Sequence, residues 1–142
     1  MRYEILENIT AADVAFKAYG TTVNDLFSSS AEALLGILLA NPESLTGTVQ
    51  KKIELRNENL DMLLYDFLNE ILFIKDSENI ILKLWKISVT GRKSYRLACK
   101  MQGEKIDRNK HSFNVDIKSV TMHELKVEKN GKLWEATVVV DV

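Results

Sequence analysis

The sequence predicts an α+β fold, in which two amphipathic helices pack on a mostly antiparallel or mixed β-sheet. Two segments carry apolar residues at the spacing of one buried helical face. About six or seven other segments alternate apolar and polar residues, as half-buried strands do. The length of 142 residues, with 46% hydrophobic and 27% charged residues, fits a single compact domain spanning residues 1–142.

The N-terminal part is predicted to contain two strands and the first helix. Residues Tyr3 to Leu6 and Val14 to Tyr19 have strand-like patterns, and Gly20 ends the second strand. Thr22 suits the N-cap position of a helix, with Asp25 in a first turn where the helix dipole favours an anion. The apolar face of this helix carries Leu26, Phe27, Ala31, Leu34, Leu35 and Leu38.

A further strand and the second helix follow Asn41-Pro42, which ends the first helix. Residues Thr48 to Arg56 alternate as a strand does. Asn59 is predicted to cap the second helix, and Asp61 lies in its first turn. The apolar stripe of this helix consists of Leu60, Leu63, Leu64, Phe67, Leu68, Ile71 and Leu72.

The C-terminal half switches to the two-residue period of strands. Residues Ile80 to Val89 form one predicted strand, with Trp85 on its apolar side, and the chain turns at Thr90-Gly91-Arg92. One face of the return strand carries Tyr95, Leu97, Cys99 and Met101. Residues Val115 to Val127 are predicted as a further strand, and Asn130-Gly131 as a two-residue hairpin turn. The last strand places on its apolar face Trp134, Ala136, Val138 and Val140.

Composition and charge argue against several classes of protein. A net charge of −1 is unusual for a protein that mainly grips nucleic-acid backbone, which needs a strongly basic face. Cys99 is the only cysteine, so no intramolecular disulfide or cysteine-based zinc site can form, and its apolar setting predicts a buried structural thiol. No apolar run reaches the ~18 residues of a membrane helix, and the N-terminus lacks a signal-peptide core. We therefore expect a cytoplasmic protein.

A candidate metal site comes from acids at the two ends of the chain. Asp13 follows Ala11-Ala12 at the edge of a strand, and Asp141 adjoins the C-terminal carboxylate of Val142. If the two ends meet, three oxygen donors suit a hard divalent cation, which would also offset the repulsion between the carboxylates. The alternatives are a strand-edge acid bonded to backbone N–H groups for Asp13 and a solvated last-strand acid for Asp141.

The sequence carries no familiar catalytic signature, such as a nucleophile elbow, a zinc-protease motif or a P-loop. His111 is expected on the surface of a polar stretch, and His123 is expected in a strand as a hydrogen-bonded structural imidazole. Lys118 interrupts an alternating strand pattern. A lysine there is either an edge-strand gatekeeper or a charge that serves a partner's phosphate or carboxylate.

Four segments in order resemble the archease family across nearly the whole chain. They are Ala12 to Gly20, Leu60 to Phe73, Ile117 to His123, and Val140 to Val142. One departure concerns the family's His-Thr ahead of Ala-Asp, which Thr10-Ala11 replaces here. Any help that the family histidine gives to the metal or to the partner's active site would be lost with this replacement.

The resemblance implies an accessory protein of an RtcB-type RNA ligase, which promotes guanylylation of the ligase and its multiple turnover in tRNA splicing. It also implies a divalent metal held by Asp13, Asp141 and Val142, with calcium expected first and magnesium, manganese and zinc as alternatives. The functional lysine of the family corresponds to Lys118. RNA is then met only through the ligase, with no membrane partner, and the oligomeric state stays open.

Two other functions remain open from the residues. The first is a chaperone-like protein-interaction domain whose metal is purely structural. The second is an enzyme with a hidden catalytic pair, formed by His123 with Glu124 or Asp116. Turnover of a nucleotide or RNA by this protein alone would favour the enzyme.

Overall fold

The computed structural model describes residues 2–10 and 13–142. Within them the chain forms two α-helices, α1 (Val23–Leu38) and α2 (Leu60–Glu78), and a 3-10 turn at Pro42–Ser44. It also forms eight strands: β1 (Tyr3–Thr10), β2 (Asp13–Gly20), β3 (Val49–Asn57), β4 (Ile80–Gly91), β5 (Tyr95–Lys105), β6 (Ser119–Val120), β7 (Lys126–Asn130) and β8 (Leu133–Asp141). The predicted α+β class is confirmed.

The strands form two sheets rather than the single sheet that the sequence predicts. A five-stranded sheet has the order β1-β2-β8-β6, with β7 also paired to β8, and a three-stranded sheet has the order β3-β5-β4. Every pairing between these strands is antiparallel. The strand β8 is therefore central, with β2 along one side and β6 and β7 along the other.

The two helices begin where the sequence predicts. The Thr22 hydroxyl oxygen accepts the N–H of Asp25 (3.1 Å), which satisfies one donor at the start of α1. Asn59 occupies the cap position of α2, but its side chain makes no capping bond. The first-turn carboxylate of Asp61 instead accepts the N–H of Met62 (2.9 Å). Asn79 follows the last residue of α2 as its C-cap, and its φ of 59° is in the left-handed region.

The core lies where both helices meet both sheets. The helix α1 packs on β2 and β4, which belong to different sheets, and α2 packs on β3, β4 and β6. Phe27 of α1 stacks on Phe67 of α2, with ring centroids 5.9 Å apart. The predicted stripe of α2 is buried except for Leu60, which is half-buried. Neither helix among the described residues has the length and apolar character needed to cross a membrane.

The prediction that Trp85 lies on the apolar side of β4 is wrong. The β4–β5 register shifts between Leu84 and Lys86, so Trp85 is the extra residue of a bulge. Its side chain is 47% exposed. After the bulge the predicted alternation holds, with Ile87 opposite Cys99 and Val89 opposite Leu97 on the inner face. Before the bulge the period is displaced by one residue, because Leu84 is opposite Met101.

The prediction of one strand over residues Val115 to Val127 is also wrong. Only β6 and the first part of β7 lie within this range. A turn separates them: Leu125 donates its N–H to the carbonyl oxygen of Met122 (3.3 Å), and Glu124 has a φ of 55°. The alternating pattern therefore covers two short strands on the same side of β8.

The predicted hairpin near Asn130-Gly131 joins β7 and β8, one residue later than expected. Asn130 pairs with Leu133, so the two loop residues are Gly131 and Lys132. Gly131 has a φ of 63°. A glycine with positive φ at the first central position is what a type II′ hairpin turn requires.

Candidate metal centre

The two predicted metal-binding acids come together at one corner of the five-stranded sheet. Asp13 begins β2 and Asp141 ends β8, and the two residues are directly opposite one another in the antiparallel pairing. Side chains at opposite positions project from the same face, with Cβ atoms roughly 4.5–5.5 Å apart. The pairing follows from the uninterrupted register that runs from Gly20 opposite Trp134 to this end.

Further oxygen atoms surround the carboxylate pair. Ser119 of β6 is opposite Asp141 on the other side of β8, so three polar residues form a row across three strands. Val142 follows Asp141 directly, and its side chain packs against the core. The main-chain oxygens of Val142 are therefore one residue from Asp141, on a chain segment that the core holds. Ala11 and Ala12, which belong to the same sequence motif, lie outside the described residues.

The donor chemistry of this corner fits a hard cation better than zinc. Among residues 2–10 and 13–142, no three His, Cys, Asp or Glu side chains lie together as a metal site. Two carboxylates supplemented by main-chain and hydroxyl oxygens give an all-oxygen set, which calcium and magnesium prefer. A structural zinc site would need nitrogen or sulfur ligands.

Lys118 lies next to this corner. It is not part of a strand, contrary to the prediction from the sequence. It precedes β6, and its main-chain N–H donates to the carbonyl oxygen of Asp141 (2.8 Å). The lysine is exposed, whereas its neighbour Ile117 is fully buried. The buried isoleucine and the bond to β8 hold the backbone, while the ammonium group stays available to solvent.

A buried lysine of α2 anchors the segment that precedes Lys118. Lys75 is only 6% exposed and donates to the carboxylates of Asp116 (2.8 Å) and Asp76 (2.6 Å). Burial alone would lower the pKa of Lys75, but the hydrogen bonds to Asp116 and Asp76 outweigh it and raise the pKa. Lys75 therefore stays charged and ties the residue two positions before Lys118 to the helix.

The expectation that His111 lies on the surface is wrong, because its side chain is fully buried. Its Nδ1 accepts the N–H of Asp107 (3.0 Å), so Nε2 carries the proton and donates to Glu104 (2.9 Å). Hydrogen bonds from Lys110 and His111 hold the pKa of Glu104 well below its usual range. This cluster closes the loop after β5 and lies apart from the acid corner in sequence.

His123 does not lie in a strand, contrary to expectation. It is exposed in the turn between β6 and β7, where its main-chain N–H donates to the Thr121 hydroxyl oxygen (3.2 Å). Cys99 is buried, as predicted, and burial raises the pKa of its thiol to about 11. A thiol with such a pKa is a poor nucleophile at neutral pH.

Sequence reasoning missed two residues that organise this corner. Asn69 of α2 bonds both main-chain groups of Val120, and Ser119 stands opposite Asp141. The only sequence signal for the first was an asparagine next to the apolar stripe of the predicted helix. The position of Ser119 opposite Asp141 could not be predicted, because it depends on β6 becoming a neighbour of β8.

The chain matches a known family along nearly its full length. The model of the Archease protein family matches residues 3–142. A protein archease of Methanosarcina mazei is 32% identical over 99% of this chain and 96% of its own length. A protein archease of Pyrococcus abyssi is also 32% identical, over 99% of both chains.

Solved structures show the same fold. The solution structure of protein 1598 of Methanobacterium thermoautotrophicum has a TM-score of 0.84 and 27% identity, with 99% of both chains covered. The crystal structure of a Thermotoga maritima archease, described as a possible chaperone, has a TM-score of 0.64 and 20% identity. That comparison covers 94% of this chain and 93% of the Thermotoga chain.

Proposed function

Because this chain belongs to the archease family, we propose that it is a non-catalytic activator of an RtcB-type RNA ligase. In this proposal it promotes guanylylation of the ligase and multiple turnover during tRNA splicing and RNA repair in the cytoplasm. The ligase, rather than this chain, holds the reacting RNA ends. The proposal is supported above all by the opposite placement of Asp13 and Asp141 at the sheet corner, beside Lys118.

The proposed cofactor is a divalent cation, calcium first, with magnesium, manganese and zinc as alternatives. Its ligands would be the carboxylates of Asp13 and Asp141 and the carboxyl oxygens of Val142. When bound, such an ion supplies positive charge that phosphate oxygens need during phosphoryl and nucleotidyl transfer. Both acids are half-buried at the ends of their strands, outside the core, so a partner's active site could approach an ion held there.

Lys118 is the proposed contact with the partner. Its ammonium group is solvent-exposed, and its backbone is fixed by the bond to Asp141 and by the burial of Ile117. A positive charge on a rigid backbone can meet a triphosphate or a carboxylate without ordering a flexible loop. The lysine and the acids therefore form one proposed functional surface.

The test is multiple-turnover guanylylation and ligation by an RtcB-type ligase from the same source. The reaction is measured without this protein, with wild type, and with the isosteric variants Asp13→Asn and Asp141→Asn. Glu58→Gln is the matched control, since Glu58 is exposed and lies in the turn between β3 and α2. We expect stimulation by wild type and by the control, and loss of stimulation with both aspartate variants.

The same experiment separates the alternative function, a chaperone-like interaction domain with a purely structural metal. Under that alternative, the aspartate variants would melt at lower temperature but would stimulate the ligase fully at temperatures where they are folded. Absence of stimulation by wild type would refute the activator role itself. The family membership would then describe the fold alone.

A further inference from the structure

The outer face of the three-stranded sheet carries an ordered array of cations. The inner face of this sheet is covered by helices, with Ile53, Leu97 and Cys99 buried against them. The outer residues fall into cross-strand rows, because the β3–β5 and β5–β4 registers coincide. The rows are Lys52-Lys100-Lys86, then Glu54-Ala98-Ser88, then Arg56-Arg96-Thr90.

The cations of these rows have no carboxylate partner in the part of the chain that the structure describes. None of the five cations forms an ion pair with any residue of the described ranges. Like charges directly opposite one another destabilise a sheet. Three adjacent lysines and two adjacent arginines therefore cost folding stability, and a ligand of opposite charge would offset that cost.

An exposed aromatic ring stands among the lysines. The bulge in β4 turns Trp85 outward, and its ring lies 5.6 Å from Nζ of Lys86 and 5.9 Å from Nζ of Lys100. Leu84 before the bulge and Ile87 after it are both opposite inward residues of β5, so Trp85 and Lys86 lie between them on the outer side. Bulges commonly re-aim a side chain at functional sites.

The face is concave between its charged rows. Ala98 and Ser88 are the small residues of the middle row, and they leave two shallow depressions of ≈ 370 and ≈ 400 Å³. One depression is flanked by Arg56 and Arg96, and the other by Lys52, Lys86 and Lys100. Glu54 lines both depressions, so each is bordered by one carboxylate and by two or three cations.

We propose that the outer face of the β3-β5-β4 sheet binds a single-stranded nucleic acid, with phosphates against the lysine and arginine rows and a base stacked on Trp85. Rows of cations that track a backbone, combined with an exposed aromatic ring, are how sheets bind single strands without sequence preference. An acidic protein surface would satisfy the five charges but would leave the indole without a planar partner. This inference rests on the face itself and not on the proposed role with a ligase.

The net charge of −1 does not oppose this inference, because the charge is unevenly distributed. Five of the 19 basic side chains and one of the 20 acidic side chains lie on the three rows. The net charge is a sum over the whole chain, so the excess of acidic residues elsewhere hides the positive charge of this face. Local potential, rather than net charge, attracts a polyanion.

The test is fluorescence anisotropy of a labelled oligouridylate of about 12 nucleotides, within the length that one binding platform covers. Binding is measured over a range of salt concentrations, with deoxyoligonucleotides and a duplex of equal length as competitors. For Lys52→Gln/Lys100→Gln we expect weaker binding and a log–log salt slope shallower by about 1.4, since each phosphate contact contributes about 0.7. For Trp85→Leu we expect roughly tenfold weaker binding with an unchanged slope.

Two further variants sharpen the test. Glu54→Gln removes the only carboxylate of the rows and should strengthen binding. Lys132→Gln, in the β7–β8 turn of the other sheet, is the control and should bind as wild type does. Unfolding curves accompany each variant, and Lys52→Gln/Lys100→Gln should be at least as stable as wild type because a like-charge contact is removed.

Several results would overturn the proposal. These are no binding by wild type at low salt, equal loss with Lys132→Gln, or a duplex that competes as well as the single strand while Trp85→Leu has no effect. Loss of binding to a protein partner in the lysine variants, with nucleic-acid affinity unchanged, would make this face a protein-docking surface instead. Because ligase stimulation is not a readout here, failure of this site and failure of the activator role are separate results.

Discussion

The side chain of Asn69 in α2 bonds both main-chain groups of Val120 in β6. Its Oδ1 accepts the N–H of Val120 (2.9 Å), and its Nδ2 donates to the carbonyl oxygen of the same residue (3.3 Å). The amide therefore acts as a one-residue neighbouring strand for β6. The helix thereby fixes the segment that carries Lys118 against β8.

We predict that Asn69→Ala loosens this segment and lowers stability by about 1–3 kcal/mol, because two main-chain groups lose their partner. Ligase stimulation should fall although Lys118 and the acids are intact. Denaturant unfolding and amide hydrogen exchange at Val120 measure the two effects. Asn114→Ala, at an exposed amide, is the control. Unchanged exchange at Val120 in the Asn69 variant would refute this role.

Lys118→Ala should separate function from stability. The side chain is exposed and makes no ion pair with the described residues, so the free energy of unfolding should change by less than about 0.5 kcal/mol. Ligase stimulation should be lost, and Lys132→Ala should retain it. Full stimulation by Lys118→Ala would remove this lysine from the functional surface.

Calcium should stabilise wild type through the opposed acids. At a calcium concentration 100 times the dissociation constant, the expected gain is about 2.7 kcal/mol. Asp141→Asn should abolish the gain, and without calcium it should be as stable as wild type or more so, because opposed like charges destabilise a sheet. Thermal unfolding with and without calcium measures both. An equal calcium response in the variant would place the ion elsewhere.

Acid should weaken the loop after β5 through Glu104. Hydrogen bonds from Lys110 and His111 lower the pKa of this carboxyl in the folded protein. The stability that it contributes is therefore present above the unfolded pKa of about 4.3 and is lost as the pH falls toward the folded value. Glu104→Gln should be less stable than wild type at pH 7, and its stability should fall less steeply below about pH 4.3. Denaturant unfolding across this pH range checks the difference, with Glu43→Gln as the control. Parallel curves for wild type and Glu104→Gln would contradict it.

The helices and most strands could be predicted because their patterns are local. The stripe of α2 needs only its own 3.6-residue period, and the cap at Thr22 needs only the following turn. The meeting of Asp13 with Asp141 was an expectation that no local pattern supplies. It depends on β2 and β8 becoming neighbours across more than a hundred residues.

The errors have a common physical origin in contacts between distant residues. A strict two-residue period cannot reveal a bulge, so it assigned Trp85 to the wrong face of β4. His111 was expected on the surface because its neighbours are polar, yet Glu104 and Asp107 supply the partners that allow its burial. The prediction treated residues Val115 to Val127 as one alternating strand, but the left-handed backbone at Glu124 divides them.

Cys99 gives this protein a built-in reporter of its own folding. The thiol lies on the inner face of β5, in the same strand whose outer face carries Lys100 and Arg96. Because Cys99 is only 6% exposed, its reaction with a thiol reagent should be slow in the folded protein and fast once the three-stranded sheet opens. The rate of thiol labelling therefore reports how often that half of the molecule opens, and no probe has to be introduced. A single-stranded nucleic acid bound across the outer face would lower the rate of thiol labelling, because it would hold the sheet together from the side opposite the thiol.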